Sequence, residues 1–329
     1  MKFSKTSQFS RAIIINRRDT MNTKIFDAHS DVLYKMWLDP TISFHNSPQL
    51  HITSQQLKSS GSKIQCFAIY VPENVKIHAF EVAIQMIDIF YEKIINKTPN
   101  LKLIRTKEDI NHLKEEEIGA ILTLEGCESI GSSIERLRAL YRLGVSSVGL
   151  TWNFANEVAD GVLERRGAGL TNFGREVVLE NNKHNIWTDV SHLSEKGFWE
   201  VMELGNHVIA SHSNVKELCN HPRNLTDDQI KMLVEKDGVI GITFVPPFLV
   251  EDGKATVFDI IKHVDHVCAL GGEDHVGFGS DFDGITETVQ GLSTFSEYEN
   301  LINILLNYYT DTQVQKFLFD NFVRKFPRN

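Results

Sequence analysis

A single (β/α)8 barrel is the fold class this sequence predicts, on three observations. From Lys24 onward, short runs rich in β-branched residues alternate with longer segments of helical period, as in βα units around a parallel sheet. Eight such runs follow one another. No Pro/Ser-rich linker or internal repeat interrupts them over roughly 300 residues, a length that one barrel fills. A doubly wound open sheet is the structural alternative.

The strand-like runs are 24–31 (KIFDAHSD), 63–71 (KIQCFAIYV), 119–126 (GAILTLEG) and 146–153 (SSVGLTWN), then 185–192 (NIWTDVSH), 207–213 (HVIASHS), 238–245 (GVIGITFV) and 275–284 (HVGFGSDFDG). Amphipathic segments separate them at 80–96, 134–144, 172–184, 195–205, 226–237 and 256–270, and two more, 298–309 and 311–326, follow the last run. Thr226 with Asp227 and Asp228 opens one helix, and Gly144 and Gly205 close two others.

Composition narrows the function. With 42 % apolar and 23 % charged residues the chain can bury a large core. Its 34 Lys+Arg against 43 Asp+Glu give a formal charge of −9, which argues against a general nucleic-acid or anionic-membrane binder. No apolar run approaches the 18 residues of a spanning helix. Cys66, Cys127, Cys219 and Cys268 form no C-x-x-C and read as reduced thiols of a cytoplasmic protein. Residues 1–20 are basic and polar with one short apolar run, Ala12 to Ile15, too short for a secretory signal. They are expected to form a disordered extension, with the barrel domain spanning 21–329.

A barrel carries its chemistry at the C-terminal ends of its strands. The first run ends in His29-Ser30-Asp31, whose i, i+2 spacing places both side chains on one face of a strand, as two ligands of one metal require. The third ends at Glu125, the fifth at His192, the sixth at His212, and Asp281 stands in the eighth. Each alone has an ordinary structural explanation, such as a helix cap or a hydrogen-bonded histidine. Together, buried carboxylates and histidines at one rim carry a desolvation cost that a divalent metal pair offsets. The remaining histidines, including His45, His51 and His112, are expected to be solvated.

Other motifs fail. There is no G-x-x-x-x-G-K-[ST], H-E-x-x-H or G-x-S-x-G. Gly167-Ala168-Gly169 has Asn172 where a dinucleotide fingerprint needs glycine, and Asp281-Phe282-Asp283-Gly284 lacks the remaining acids of a calcium loop.

What does fit is an ordered series: FDAHSD (26–31), LTLEG (122–126), GLTNFGREVV (169–178), DVSH (189–192), ASHSN (210–214), HPRNLTDD (221–228) and GSDFDG (279–284). In this series the chain resembles the membrane (renal) dipeptidase family of zinc metallopeptidases, a branch of the amidohydrolase superfamily. The resemblance covers Ile25 to Phe326, and His29-x-Asp31, in place of the His-x-His of many amidohydrolases, selects this family.

The resemblance implies two zinc ions per chain, with His29 and Asp31 on one, His192 and His212 on the other, and Glu125 bridging. It implies that Asp281 handles the proton of the attacking water, that Arg223 meets the substrate's terminal carboxylate and that Tyr34 forms a pocket wall. One departure stands out. In L-T-x-N after the fourth run the family has a substrate-contacting His, and this chain has Trp152, which can donate a hydrogen bond but not accept a proton. The expected activity is hydrolysis of dipeptides, including those with a C-terminal D-residue, by a homodimer without membrane attachment. The alternatives are another amidohydrolase reaction, on an N-acyl amino acid or lactone, and a catalytically silent barrel that binds a partner.

Overall fold

A computed structural model describes residues 23–328. The extension expected at 1–20 lies outside the described residues.

Among these residues nine strands form one parallel sheet: β1 (Ile25–Asp27), β2 (Ser62–Tyr70), β3 (Leu101–Leu103), β4 (Ile118–Glu125), β5 (Val145–Gly149), β6 (Trp187–Asp189), β7 (Val208–Ala210), β8 (Val239–Ile242) and β9 (Val276–Phe278). β1 pairs with β2 and β9, β2 pairs with β4, and β4 through β9 pair in succession, so eight strands close a barrel. The expected fold class is therefore observed.

The ninth strand, β3, is absent from the sequence reading. It pairs Leu101–Leu103 with residues 118–120 of β4, along the edge whose upper part, 122–125, pairs with β5. Three residues with Lys102 exposed between Leu101 and Leu103 leave too short a pattern to register.

Helices follow the expected segments. Thr226 caps Asp227–Glu235 through a reciprocal box with Gln229, and Thr256 does the same with Asp259 for Val257–Ala269. Gly144 turns the chain at φ 113°, a conformation that favours glycine. Four short helices, Val32–Leu38, Ser54–Ser59, Lys107–Asn111 and Pro246–Leu249, were not expected.

The core is asymmetric, and this positions the site. At the N-terminal end of the barrel Phe26, Ile64, Ile121, Trp187 and Ile209 pack against Phe319, Phe322 and Phe326 of the C-terminal segment. Phe26 stacks on Phe322 at 4.9 Å, and the Trp187 indole donates to the Lys325 carbonyl at 3.2 Å. That end is plugged by aromatic side chains, which leaves the opposite rim for chemistry.

Several strands are shorter than the sequence suggests. β1 stops at Asp27, β6 at Asp189, β7 at Ala210 and β9 at Phe278. Carboxylates intercept the backbone there: Asp189 Oδ1 accepts from Ser191 N–H and Ser211 N–H, both at 3.0 Å, and Asp27 Oδ1 accepts from Ser280 N–H at 2.8 Å. Side-chain bonds to the backbone replace ladder bonds and let the chain leave the sheet.

Candidate metal centre

Glu125 is the last residue of β4 and is buried. The other four expected ligands lie just past their strands, a correction to the strand-face argument. His29 follows β1, and Asp31 precedes helix Val32–Leu38 as its N-cap residue without capping it. His192 and His212 follow β6 and β7. His192 and Asp281 have left-handed backbones, φ 66° and 62°, which are costly for non-glycine residues and turn their side chains inward.

These side chains converge. Glu125 Oε2 is 3.5 Å from His29 Nε2, and its Oε1 is 3.1 Å from His192 Nε2 and 3.8 Å from His212 Nε2. His29 Nε2 is also 3.4 Å from Asp31 Oδ2 and 3.9 Å from Asp281 Oδ1. One carboxylate thus faces two ligand sets, one with each oxygen.

Tautomers follow from the neighbours. Asn153 Oδ1, an acceptor, lies 2.9 Å from His192 Nδ1, so Nδ1 carries the proton. Ser211 Oγ donates its one hydrogen to Asp189 Oδ2 and lies 2.7 Å from His212 Nδ1, so it accepts from that ring. Both Nε2 atoms are then lone pairs facing each other at 2.8 Å. Two lone pairs so placed repel unless a cation lies between them. His29 Nε2 and Asp31 Oδ1 are likewise buried without a hydrogen-bond partner. Two donor sets, His29–Glu125–His212 and His29–Asp31–Asp281, each bring their ligand atoms within 4.8 Å. Imidazole nitrogens and carboxylate oxygens in this arrangement fit zinc and related divalent ions.

The electrostatics agree. Burial and the neighbouring Glu125 carboxylate hold Asp31 well above the usual carboxyl range. Burial, with His29 and His192 nearby, pushes His212 well below the usual imidazole range. His29 is pushed down by burial, but Glu125 and Asp31 outweigh that and raise it. Carboxylates and imidazoles crowded into one buried volume shift one another in opposite senses.

Arg223, in the loop after β7, is only 5 % exposed. It donates Nη2–H to the His212 carbonyl at 3.1 Å and lies over the Phe248 ring at 5.5 Å. Its Nε–H is buried and meets no acceptor. Burial lowers its pKa to about 10, so it stays charged at neutral pH.

Tyr34 stands edge-on to Tyr70 at 5.1 Å, Tyr70 is 5.3 Å from Trp152, and Trp152 is 6.1 Å from His192. Tyr34 and Trp152 thus belong to one aromatic wall, linked by Tyr70. The sequence reading missed Tyr70, although it ends β2 in register with Glu125. It also missed Asn153, Asp189 and Ser211, whose signal was position beside the ligands. Among the remaining histidines, His263 is buried at 1 % exposure and His51 is half-buried, against the expectation of solvation.

Comparison with known proteins follows the same line. The pattern of the membrane dipeptidase family, peptidase family M19, matches residues 17–328. A Klebsiella pneumoniae protein, described only as an uncharacterized protein in the pqqA 5′ region, is 34 % identical over 253 residues, covering 73 % of this chain and 93 % of its own. The crystal structure of dipeptidase AC, an M19 metallopeptidase, superposes with a TM-score of 0.87 at 29 % identity, over 94 % of this chain and 99 % of that one. A Rhodobacter sphaeroides metallopeptidase, crystallised with a phosphinate mimic of L-Ala-D-Ala, gives 0.85 at 28 %, over 93 % and 99 %. The chain belongs to the membrane dipeptidase family, peptidase family M19, and is a metallo-dipeptidase on a (β/α)8 barrel.

Proposed function

We propose that the chain is a dinuclear zinc dipeptidase that accepts a D-residue at the C-terminal position. The observation that carries this reading is the split of Glu125, with Oε2 toward His29 and Oε1 toward His192 and His212. His29 and Asp31 would hold one ion, His192 and His212 the second, and Glu125 both. When bound, the ions polarise the scissile carbonyl and lower the pKa of the attacking water.

The chain's own residues do the rest. Asp281, 3.9 Å from His29 Nε2 and within 4.8 Å of an Asp31 oxygen, takes the proton of the attacking water and returns it to the leaving amine. Arg223 pairs with the free carboxylate of the dipeptide, which supplies the acceptor its buried Nε–H lacks. Tyr34, Tyr70 and Trp152 wall the substrate, and the Trp152 indole can donate to it without accepting a proton. The L-Ala-D-Ala mimic bound by the Rhodobacter sphaeroides relative supports the D-residue. Four cysteines in no disulfide support a reducing, cytoplasmic setting, and family resemblance supports a homodimer.

C-terminal amidation of the substrate tests this reading. Amidated dipeptides should be cut with kcat/KM lower by about tenfold or more, the scale of a lost hydrogen bond to a charged group. Arg223→Ala should show little further loss on them. Equal hydrolysis of amidated and free dipeptides would remove Arg223 from substrate contact and leave a less specific amidohydrolase.

A further inference from the structure

Beside the metal ligands a cavity of about 330 Å³ opens between the segments that follow β6 and β7. His192 and Arg223 bound it, so it touches both the metal cluster and the residue assigned to the substrate's carboxylate. Phe198 contributes to an apolar part of its wall. Its charged lining is Lys196, Lys216 and Arg223 against one carboxylate, Glu195, in a chain whose net charge is −9.

The two lysines are not otherwise engaged, and Arg223 has one donor to spare. Among the described residues neither Lys196 nor Lys216 has a side-chain hydrogen bond or ion pair, and Arg223 keeps its buried Nε–H unpaired. The segment carrying Lys216 and Arg223 is fixed. Lys216 N–H donates to the Leu225 carbonyl at 2.8 Å, and Asn224 Nδ2 donates to the Cys219 and Phe248 carbonyls, both at 2.8 Å.

We infer that this cavity is the subsite for the side chain of the substrate's C-terminal residue, and that it selects aspartate or glutamate there. The inference rests on the dipeptidase reading. With the scissile carbonyl at the metal ligands and the α-carboxylate at Arg223, the C-terminal Cα lies between His192 and Arg223, at the mouth of the cavity. An acidic side chain lays its methylene stem along the apolar wall and brings its carboxylate to Lys216, with Lys196 adding positive potential at the rim. A neutral isostere of the same shape fills the same space and leaves the ammonium without its anion.

The test is kcat/KM of the metal-loaded full chain on Ala-Glu against Ala-Gln and on Ala-Asp against Ala-Asn, each with an L- and a D-residue at the C-terminus. The acidic member of at least one pair should be preferred by about tenfold, the lower end for a hydrogen bond to a charged group. Lys216→Met should bring that ratio toward one, mainly through KM, whereas Lys216→Arg should keep it. A ratio near one in the unaltered chain overturns the inference, as does a ratio unmoved in the Lys196→Met/Lys216→Met double variant. Hydrolysis of Ala-Gln without acidic preference overturns the subsite alone. No hydrolysis of any dipeptide overturns the dipeptidase reading and the subsite with it.

Discussion

At the scale of single residues, two carboxylates near the metal ligands do different work. Asp281 is raised by burial and by Glu125, against the pull of His29 and Arg223, which suits a group that must gain and lose a proton. Asp281→Asn should keep bound metal yet lose about 10²–10⁴ in kcat. Metal analysis of the variant checks this, because loss of metal would make Asp281 chiefly a ligand. Asp189 touches no expected ligand directly. It accepts a hydrogen bond from the Ser211 hydroxyl, which leaves that oxygen to accept from His212 Nδ1–H and frees Nε2. An Asn at this position can offer an N–H instead, turning the Ser211 hydroxyl toward Nδ1 and placing the ring proton on Nε2. Asp189→Asn should therefore weaken metal binding by roughly 10–100-fold in competition against a chelator. Unchanged affinity would show that the relay does not set the tautomer. The ligands themselves were legible because they repeat at strand ends. Asp189 was not, since its effect passes through a serine whose direction only the fold reveals, and Arg223 is buried by a loop whose course has no periodicity.

At the scale of elements, His263 ties three segments together. On helix Val257–Ala269 its Nδ1 accepts from Val215 N–H, and its Nε2–H donates to the Leu249 carbonyl, both at 3.0 Å. It thus joins the segments after β7 and β8 that hold Arg223 and Phe248. Burial lowers its pKa from 6.5 to about 4, so the folded chain takes up this proton later than the unfolded chain. The unfolded state binds more protons between those values, and stability falls as pH drops through that window. The full displacement is worth roughly 3 kcal/mol, of which about 2 is lost by pH 5. His263→Gln retains an acceptor and a donor but cannot titrate. Urea unfolding of the metal-free proteins at pH 7.5 and 5 should show the variant losing about 2 kcal/mol less than the unaltered chain. Parallel losses would mean that His263 does not titrate in the fold as described. The sequence placed this helix within a residue at each end, from its period alone. It gave no hint that the histidine on it faces inward, because one polar residue in an apolar stripe has no distinguishing pattern. Strand ends were misjudged for a related reason: β-rich runs continue past the point where Asp27 and Asp189 take over the backbone bonds.

At the scale of the whole molecule, aromatic residues of the C-terminal segment fill one end of the barrel, and the ligands gather at the other. Eight βα units were legible because their hydrophobic period changes at each strand. β3 was not, because three residues alternate too briefly. The functional claim also belongs to this scale, since no single strand holds a metal and β1, β4, β6 and β7 must close into a ring to bring their ligands together. The most direct measurement is a zinc titration of exhaustively chelated protein, followed by hydrolysis of L-Ala-D-Ala and L-Ala-L-Ala. The account predicts no hydrolysis without metal and a rise that levels at about two equivalents per chain, the number expected for a two-metal hydrolase site. Full hydrolysis after exhaustive chelation would contradict it.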